Sequence, residues 1–152
     1  MKRKILIGLA VLALASAACA QETDTGGGDG NGDGDGNGAT AADVTVTLSD
    51  YEIDPSVDSA AAGSVTFEAR NDGPQPHELM AIATDLAPDQ LPKEGAVVDE
   101  DAEGLEVAGE IEEFPSGETQ TGTFELEAGS YVLICNVATH YDLGMRVAFT
   151  VE

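Results

Sequence analysis

Beyond residue 43 the apolar positions fall on a period of two. Val44, Val46 and Leu48 alternate with threonines; Val65, Phe67 and Ala69 repeat the pattern, as do Phe124 with Leu126 and Val147 with Phe149 and Val151. Alternation places every second side chain on one face of an extended chain, so each run predicts a half-buried strand. Two runs differ: residues 77–83 and 131–135 are apolar on both faces, the pattern of interior strands. Turn chemistry separates the runs at Ala62-Gly63, Asn71-Asp72-Gly73-Pro74, Pro115-Ser116-Gly117 and Ala128-Gly129. No segment here keeps a helical period. Short strands with turns between them predict one all-β domain over 43–152, an antiparallel Greek-key β-sandwich. A further strand, residues 105–111, is expected inside the less regular stretch 85–118.

The chain ahead of the strands reads differently. Met1-Lys2-Arg3-Lys4 is a basic start, and the apolar run from Ile5 to Ala15 is too short to span a bilayer as a mature helix. Residues 1–18 therefore form an export signal. It ends Leu14-Ala15-Ser16-Ala17-Ala18-Cys19, which resembles a bacterial lipoprotein cleavage site; the resemblance implies Cys19 as the lipidated first residue of the mature chain, the alternative being an ordinary signal-peptidase cut near Ala18 or Ala20 and simple secretion. Residues 19–42 are the lipidated Cys followed by Gly, Asp, Asn, Thr and Ala with almost nothing to bury. That composition predicts a disordered tether with a root-mean-square span of roughly 25 Å. Its Asp29-x-Asn31-x-Asp33-Gly34 and Asp33-x-Asp35-x-Asn37-Gly38 registers imitate the start of an EF-hand loop. Both lack the Glu required at the twelfth position, where Thr40 and Val44 stand. The expected location is extracytoplasmic, anchored through lipid to the cell membrane on its periplasmic or outer side.

Charge then narrows the partners. In 152 residues there are 29 Asp and Glu against 6 Lys and Arg, a net charge of −23. No basic patch is available for nucleic acid or an anionic lipid surface. Residues 85–118 concentrate acids against a single base, Lys93, and read either as a solvated acidic surface or as a docking face for a basic partner.

The candidate chemistry follows from scarcity, because the whole chain has two Cys and two His. If lipid consumes Cys19, Cys135 is an odd thiol in an exported protein, where an unpaired Cys needs something to hold it. It opens Cys135-x4-His140-x4-Met145, a loop joining the last two strands, and the other imidazole, His77, starts an interior strand. A thiolate with two imidazoles in a trigonal arrangement and a long axial thioether is the donor set of a blue-copper centre. Other uses of these residues are a Cys19–Cys135 disulfide, a Cys135–His140 nucleophile pair, a zinc site on the same donors, or core packing.

Gly129-Ser-Tyr-Val-Leu-Ile-Cys135 and the C-x4-H-x4-M loop resemble the cupredoxins, small exported blue-copper proteins of the plastocyanin, azurin and rusticyanin type. The spacing is most similar to the rusticyanin, auracyanin and sulfocyanin branch. The resemblance implies His77, Cys135, His140 and Met145 as ligands of one copper ion. It also implies a one-electron carrier between extracytoplasmic redox partners, monomeric and not an enzyme, with the His140 edge as the electron port. The alternatives are a copper carrier or storage protein and a metal-free lipoprotein interaction domain. Two departures stand out. Ala138-Thr139 replaces the Pro-Gly found before the second His in many relatives. Glu78 follows His77 where Asn is frequent, so a hydrogen bond to the thiolate there must come from a backbone N–H.

Overall fold

A computed structural model describes residues 41–152; the signal segment, Cys19 and the tether up to residue 40 lie outside the described residues. In chain order the elements are β1 (Val44–Ser49), β2 (Glu52–Pro55), β3 (Ser59–Ala60), β4 (Gly63–Asn71), β5 (His77–Ala83), β6 (Lys93–Glu94), β7 (Val97–Val98), β8 (Glu106–Phe114), β9 (Thr119–Leu126), β10 (Gly129–Ile134), α1 (His140–Leu143) and β11 (Arg146–Val151). They form a four-stranded sheet ordered β2-β1-β4-β9, a five-stranded sheet ordered β3-β11-β10-β5-β8, and the β6–β7 hairpin.

The sheets are mixed, not wholly antiparallel. β1 lies parallel to β4, and β3 parallel to the final strand β11. Parallel neighbours need a crossover, supplied for β1 and β4 by the chain that passes through β2 and β3. Periodicity reports which face a residue takes and carries no information on strand direction, so these two pairings were not readable from it.

Between the sheets sits the main core. Val44, Val46, Leu48, Val65, Phe67 and Ala69 are all buried, as the alternation predicts. The Phe67 ring packs against Phe124 and Phe149 at centroid distances of 5.1 and 5.7 Å. Gly109 on β8 makes room for Phe124, since a Cβ there would stand 2.2 Å from the ring.

β8 runs three residues beyond the predicted 105–111, to Phe114. Its register against β5 shifts twice, between His77 and Leu79 and between Ala81 and Ile82. Such an irregularity resets which face a residue takes, so Ile111 and Phe114, three positions apart, are both buried in the same core. A second core explains the two strands that are apolar on both faces. Met80 and Ile82 of β5 and Val132 and Ile134 of β10 turn away from the sandwich interior and are covered by Leu91, Val98 and Tyr141, with Leu105 at the margin. The irregular stretch after β5 is thus a lid over the outer face of the five-stranded sheet, joined there by the residue that follows His140.

Candidate metal centre

β5 and β10 are antiparallel neighbours in the middle of their sheet, so the start of one and the end of the other share one end of the sandwich. His77 is the first residue of β5 and Cys135 directly follows β10. The chain must then turn back into β11. It does so through α1, a single helical turn entered at Thr139 and left at Gly144, both with positive φ, 75° and 130°. Glycine is the residue suited to the second of these, and a Cβ there would also press on the Tyr51 carbonyl at 3.0 Å. The Met145 N–H donates to the His140 carbonyl at 3.0 Å and the Cys135 N–H to the Met145 carbonyl at 3.1 Å. Those bonds fold the ligand loop against the strand ends.

The loop brings the sequence-predicted residues together. Nδ1 of His77 and Nδ1 of His140 are 3.2 Å apart, and Cys135 Sγ lies 3.8 Å from the first and 3.4 Å from the second. Cys135, His77 and Met145 are fully buried and His140 is 4% exposed. A first-row metal sits about 2.0–2.1 Å from imidazole nitrogen and about 2.3 Å from thiolate sulfur. Between tetrahedral and trigonal angles, those bond lengths separate the two nitrogens by about 3.3–3.6 Å and sulfur from nitrogen by about 3.5–3.8 Å. The observed triangle falls close to that range. Its donors, with Met145 buried directly before β11, fit a single type 1 copper ion.

No protein-family model matches the sequence, and no curated protein does. Solved structures do match the fold. An azurin from the methylotroph Methylomonas sp. strain J is 20% identical over 74% of this chain and 98% of its own, with a TM-score of 0.54. Auracyanin A, described as a "blue" copper protein from the green photosynthetic bacterium Chloroflexus aurantiacus, is 22% identical over 72% and 98%, with a TM-score of 0.50. Rusticyanin in its reduced form is 16% identical over 71% and 78%, with a TM-score of 0.51. The domain has the cupredoxin fold.

Burial dominates the electrostatics of the donor triangle. Burial pushes the Cys135 thiol up to about 11, against the lowering effect of the Glu78 and Val137 amides. The metal-free thiol therefore keeps its proton near neutral pH, and a metal must displace it. Burial, together with the neighbouring His77, holds His140 below the ordinary imidazole range, which keeps its ring neutral and its lone pair available. The Glu78 N–H points at Cys135 Sγ from 3.5 Å, the backbone donor that the absence of Asn at that position required. The Glu78 carboxyl is itself pushed up to about 7, by burial first and then by Glu110, Glu100 and Glu113, with the Asn136 amide opposing.

His140, the expected electron port, is nearly covered. Tyr51 packs against it edge-on, with centroids 5.2 Å apart and planes at 69°. On the same loop Leu143 is exposed while Tyr141 is turned inward.

Asp50, Gln75 and Tyr51, which the sequence reading did not single out, stand behind the ligands. Asp50 Oδ1 is 2.9 Å from His77 Nε2; Gln75 Nε2 donates to Asp50 Oδ2 at 2.6 Å and to the Tyr51 hydroxyl at 2.8 Å. The Gln75 hydrogen bond holds the Asp50 carboxyl below the ordinary carboxylate range. Asn71 braces the same turn, donating from Nδ2 to the Gln75 and Phe114 carbonyls and accepting from the Gly73 N–H.

The stretch after β5 holds the ligand loop without supplying a ligand. The Tyr141 hydroxyl donates to the Pro88 carbonyl at 2.7 Å and accepts from the Leu91 N–H at 3.0 Å. Asn136 Oδ1 accepts from the Val98 N–H at 2.6 Å, the Thr139 N–H donates to the Ala96 carbonyl at 2.8 Å, and Lys93 pairs with Asp142 at 2.6 Å. Tyr141→Phe strands the Leu91 N–H and the Pro88 carbonyl at a buried contact, so it should cost about 1–3 kcal/mol. Urea unfolding measures this directly; an unchanged midpoint would mean that the stretch does not brace the loop.

Proposed function

We propose that this chain is a type 1 copper protein that carries single electrons between extracytoplasmic redox partners. The observation that carries this reading is the buried triangle of one thiol and two Nδ1 atoms at 3.2, 3.4 and 3.8 Å, with Met145 buried and bonded through its backbone to Cys135 and His140. When bound, copper supplies a Cu(I)/Cu(II) couple whose two states tolerate the same sulfur and nitrogen donors. The chain holds those donors at fixed positions: His77 on a central strand, and the other three on a loop clamped by backbone bonds and by the stretch after β5. Fixed donors limit rearrangement between oxidation states, which speeds electron transfer. Four donors in so closed a site leave no position for a substrate, and on that argument the protein is a carrier and not an enzyme. Burial of all four also weighs against a copper-delivery role, which needs ready exchange.

The test is to load the full chain with Cu(II). An intense thiolate-to-copper absorption with narrow hyperfine splitting in the spin-resonance spectrum is expected. A colourless copper complex would overturn the reading, and rapid loss of copper to a chelator would favour delivery or storage.

For location, the reading rests on the N-terminal sequence. Among the described residues no helix is long and apolar enough to cross a membrane. The anchor proposed is lipid on Cys19, with residues 20–42 as the tether of a domain over 43–152. In a bacterial host the wild-type chain should partition with membranes, and Cys19→Ser should move it to the soluble fraction. Soluble wild type would instead mean simple secretion. The proposed partner is a redox protein with a basic docking surface, since every base in the described domain is already engaged. Arg70 pairs with Asp72, Lys93 with Asp142, and Arg146 binds the Tyr141 carbonyl while its guanidinium lies 5.0 Å from the Tyr141 ring centroid.

A further inference from the structure

We propose that Asp50 is a positioning residue of the metal centre: its carboxylate holds His77 in the tautomer that presents Nδ1 to the metal, and its charge, one imidazole away, lowers the reduction potential. This inference rests on the copper reading above and adds a residue and a role to it.

The geometry is specific. A carboxylate only accepts, so at 2.9 Å from Asp50 Oδ1 the Nε2 of His77 must carry the proton. In a neutral ring Nδ1 is then left as a lone-pair donor, and Nδ1 is the atom that faces Cys135 and His140. The carboxylate is held from its other side, because Oδ2 accepts from Gln75 Nε2 at 2.6 Å, and the same amide reaches the Tyr51 hydroxyl. The His77 side chain is fully buried and that of Asp50 is 19% exposed, so the contact is closed on its imidazole side and reached by water on its carboxylate side. Gly73 makes the approach possible. A Cβ at that position would lie 2.6 Å from Asp50 Oδ1 and 2.7 Å from His77 Nε2, inside the contact itself.

The two histidines are therefore unlike. His77 is backed by a carboxylate, whereas His140 meets the edge of the Tyr51 ring. A carboxylate behind a metal-binding imidazole raises the basicity of the ligand atom and fixes its orientation. Added negative charge stabilises the more positive metal state, so it favours Cu(II) over Cu(I).

The experiment compares wild type, Asp50→Asn and Asp50→Ala as full chains. Asn keeps an acceptor oxygen and loses the charge. Asp50→Asn should stay blue while the ratio of Cu(II) to Cu(I) affinity falls about tenfold, a rise of about 59 mV for a one-electron couple. Asp50→Ala should show the same rise and in addition lose about 10- to 100-fold in Cu(I) affinity, measured by chelator competition. In the metal-free chain at pH 8, nitrogen NMR should find His77 protonated on Nε2 in wild type and Asp50→Asn, and as a tautomer mixture in Asp50→Ala. A blue wild type with the potential unmoved in Asp50→Asn overturns the charge role. A single Nε2–H tautomer in metal-free Asp50→Ala overturns the positioning role; if that variant fails to fold, a metal-free wild type whose His77 carries its proton on Nδ1 or as a tautomer mixture overturns it in the same way. A wild type that never turns blue defeats the copper reading instead, and the tautomer measurement still stands apart from it.

Discussion

Cys135→Ser is expected to abolish the blue absorption completely while leaving the domain folded. The chromophore of a type 1 centre is the sulfur–copper bond, and a serine hydroxyl is a hard, weakly acidic donor that does not replace a thiolate for a soft ion. The substitution is nearly isosteric, and the Glu78 N–H that points at Cys135 Sγ remains as a hydrogen-bond partner for the new oxygen. The sheet pairing around the site is backbone-made: β10 is bonded to both β5 and β11, and the Cys135 N–H bonds the Met145 carbonyl whatever the side chain. Loss of colour with an unchanged far-ultraviolet dichroism spectrum is therefore the expected pair of results. Met145→Leu supplies the contrast. It should stay blue and shift to a higher potential, because the axial thioether donates weakly and favours the oxidised state. A Cys135→Ser chain that remained blue would end the assignment.

The site was legible in the sequence because its residue types are rare. With two His in the chain and one Cys beyond residue 19, the C-x4-H-x4-M loop and an isolated His77 left few ways to build a cluster, and the structure brings Cys135 and both imidazoles within hydrogen-bonding range. Asp50 was not legible for the opposite reason. It is one of 29 acids, and nothing local separates a carboxylate aimed at an imidazole from one aimed at water. The same contrast runs through the fold. Val44, Val46 and Leu48 announce their face by alternation, whereas Ile111 and Phe114 are reconciled only by the register shifts between β5 and β8. The two-faced apolarity of β5 and β10 correctly signalled strands covered on both sides. What covers the outer side, Leu91 and Val98 with Tyr141, comes from connecting segments that follow no period.

The second large effect expected is on the rate of electron transfer with a basic redox partner. With residues 1–18 removed as a signal, 3 bases face 29 acids, a net charge of −26; with those bases, Arg70, Lys93 and Arg146, each engaged, the field over the protein has one sign. Such a field raises association rates by roughly 10- to 1,000-fold at low salt, and the gain collapses as salt screens it over a Debye length of about 8 Å at physiological ionic strength. The bimolecular rate with a cationic partner should thus fall steeply from low to high salt, while the thiolate-to-copper band of the buried site stays constant. The stretch after β5 is the natural place for the encounter, because it is acidic and its hydrogen bonds reach the ligand loop at Asn136, Thr139 and Tyr141. Replacing Asp99, Glu100, Asp101 and Glu103 by their amides tests this with little structural change. Gln at position 100 can still accept the hydrogen bond that Glu100 takes from Asn136 Nδ2 at 2.9 Å, and the amide at position 99 keeps an oxygen for the Asp101 N–H. The fourfold variant should flatten the salt dependence and slow the reaction at low salt, with its absorption spectrum unchanged. A slope that survives the fourfold change would place recognition elsewhere, on the exposed Leu143 side of the ligand loop, and would leave the acids of this stretch as a solvated surface.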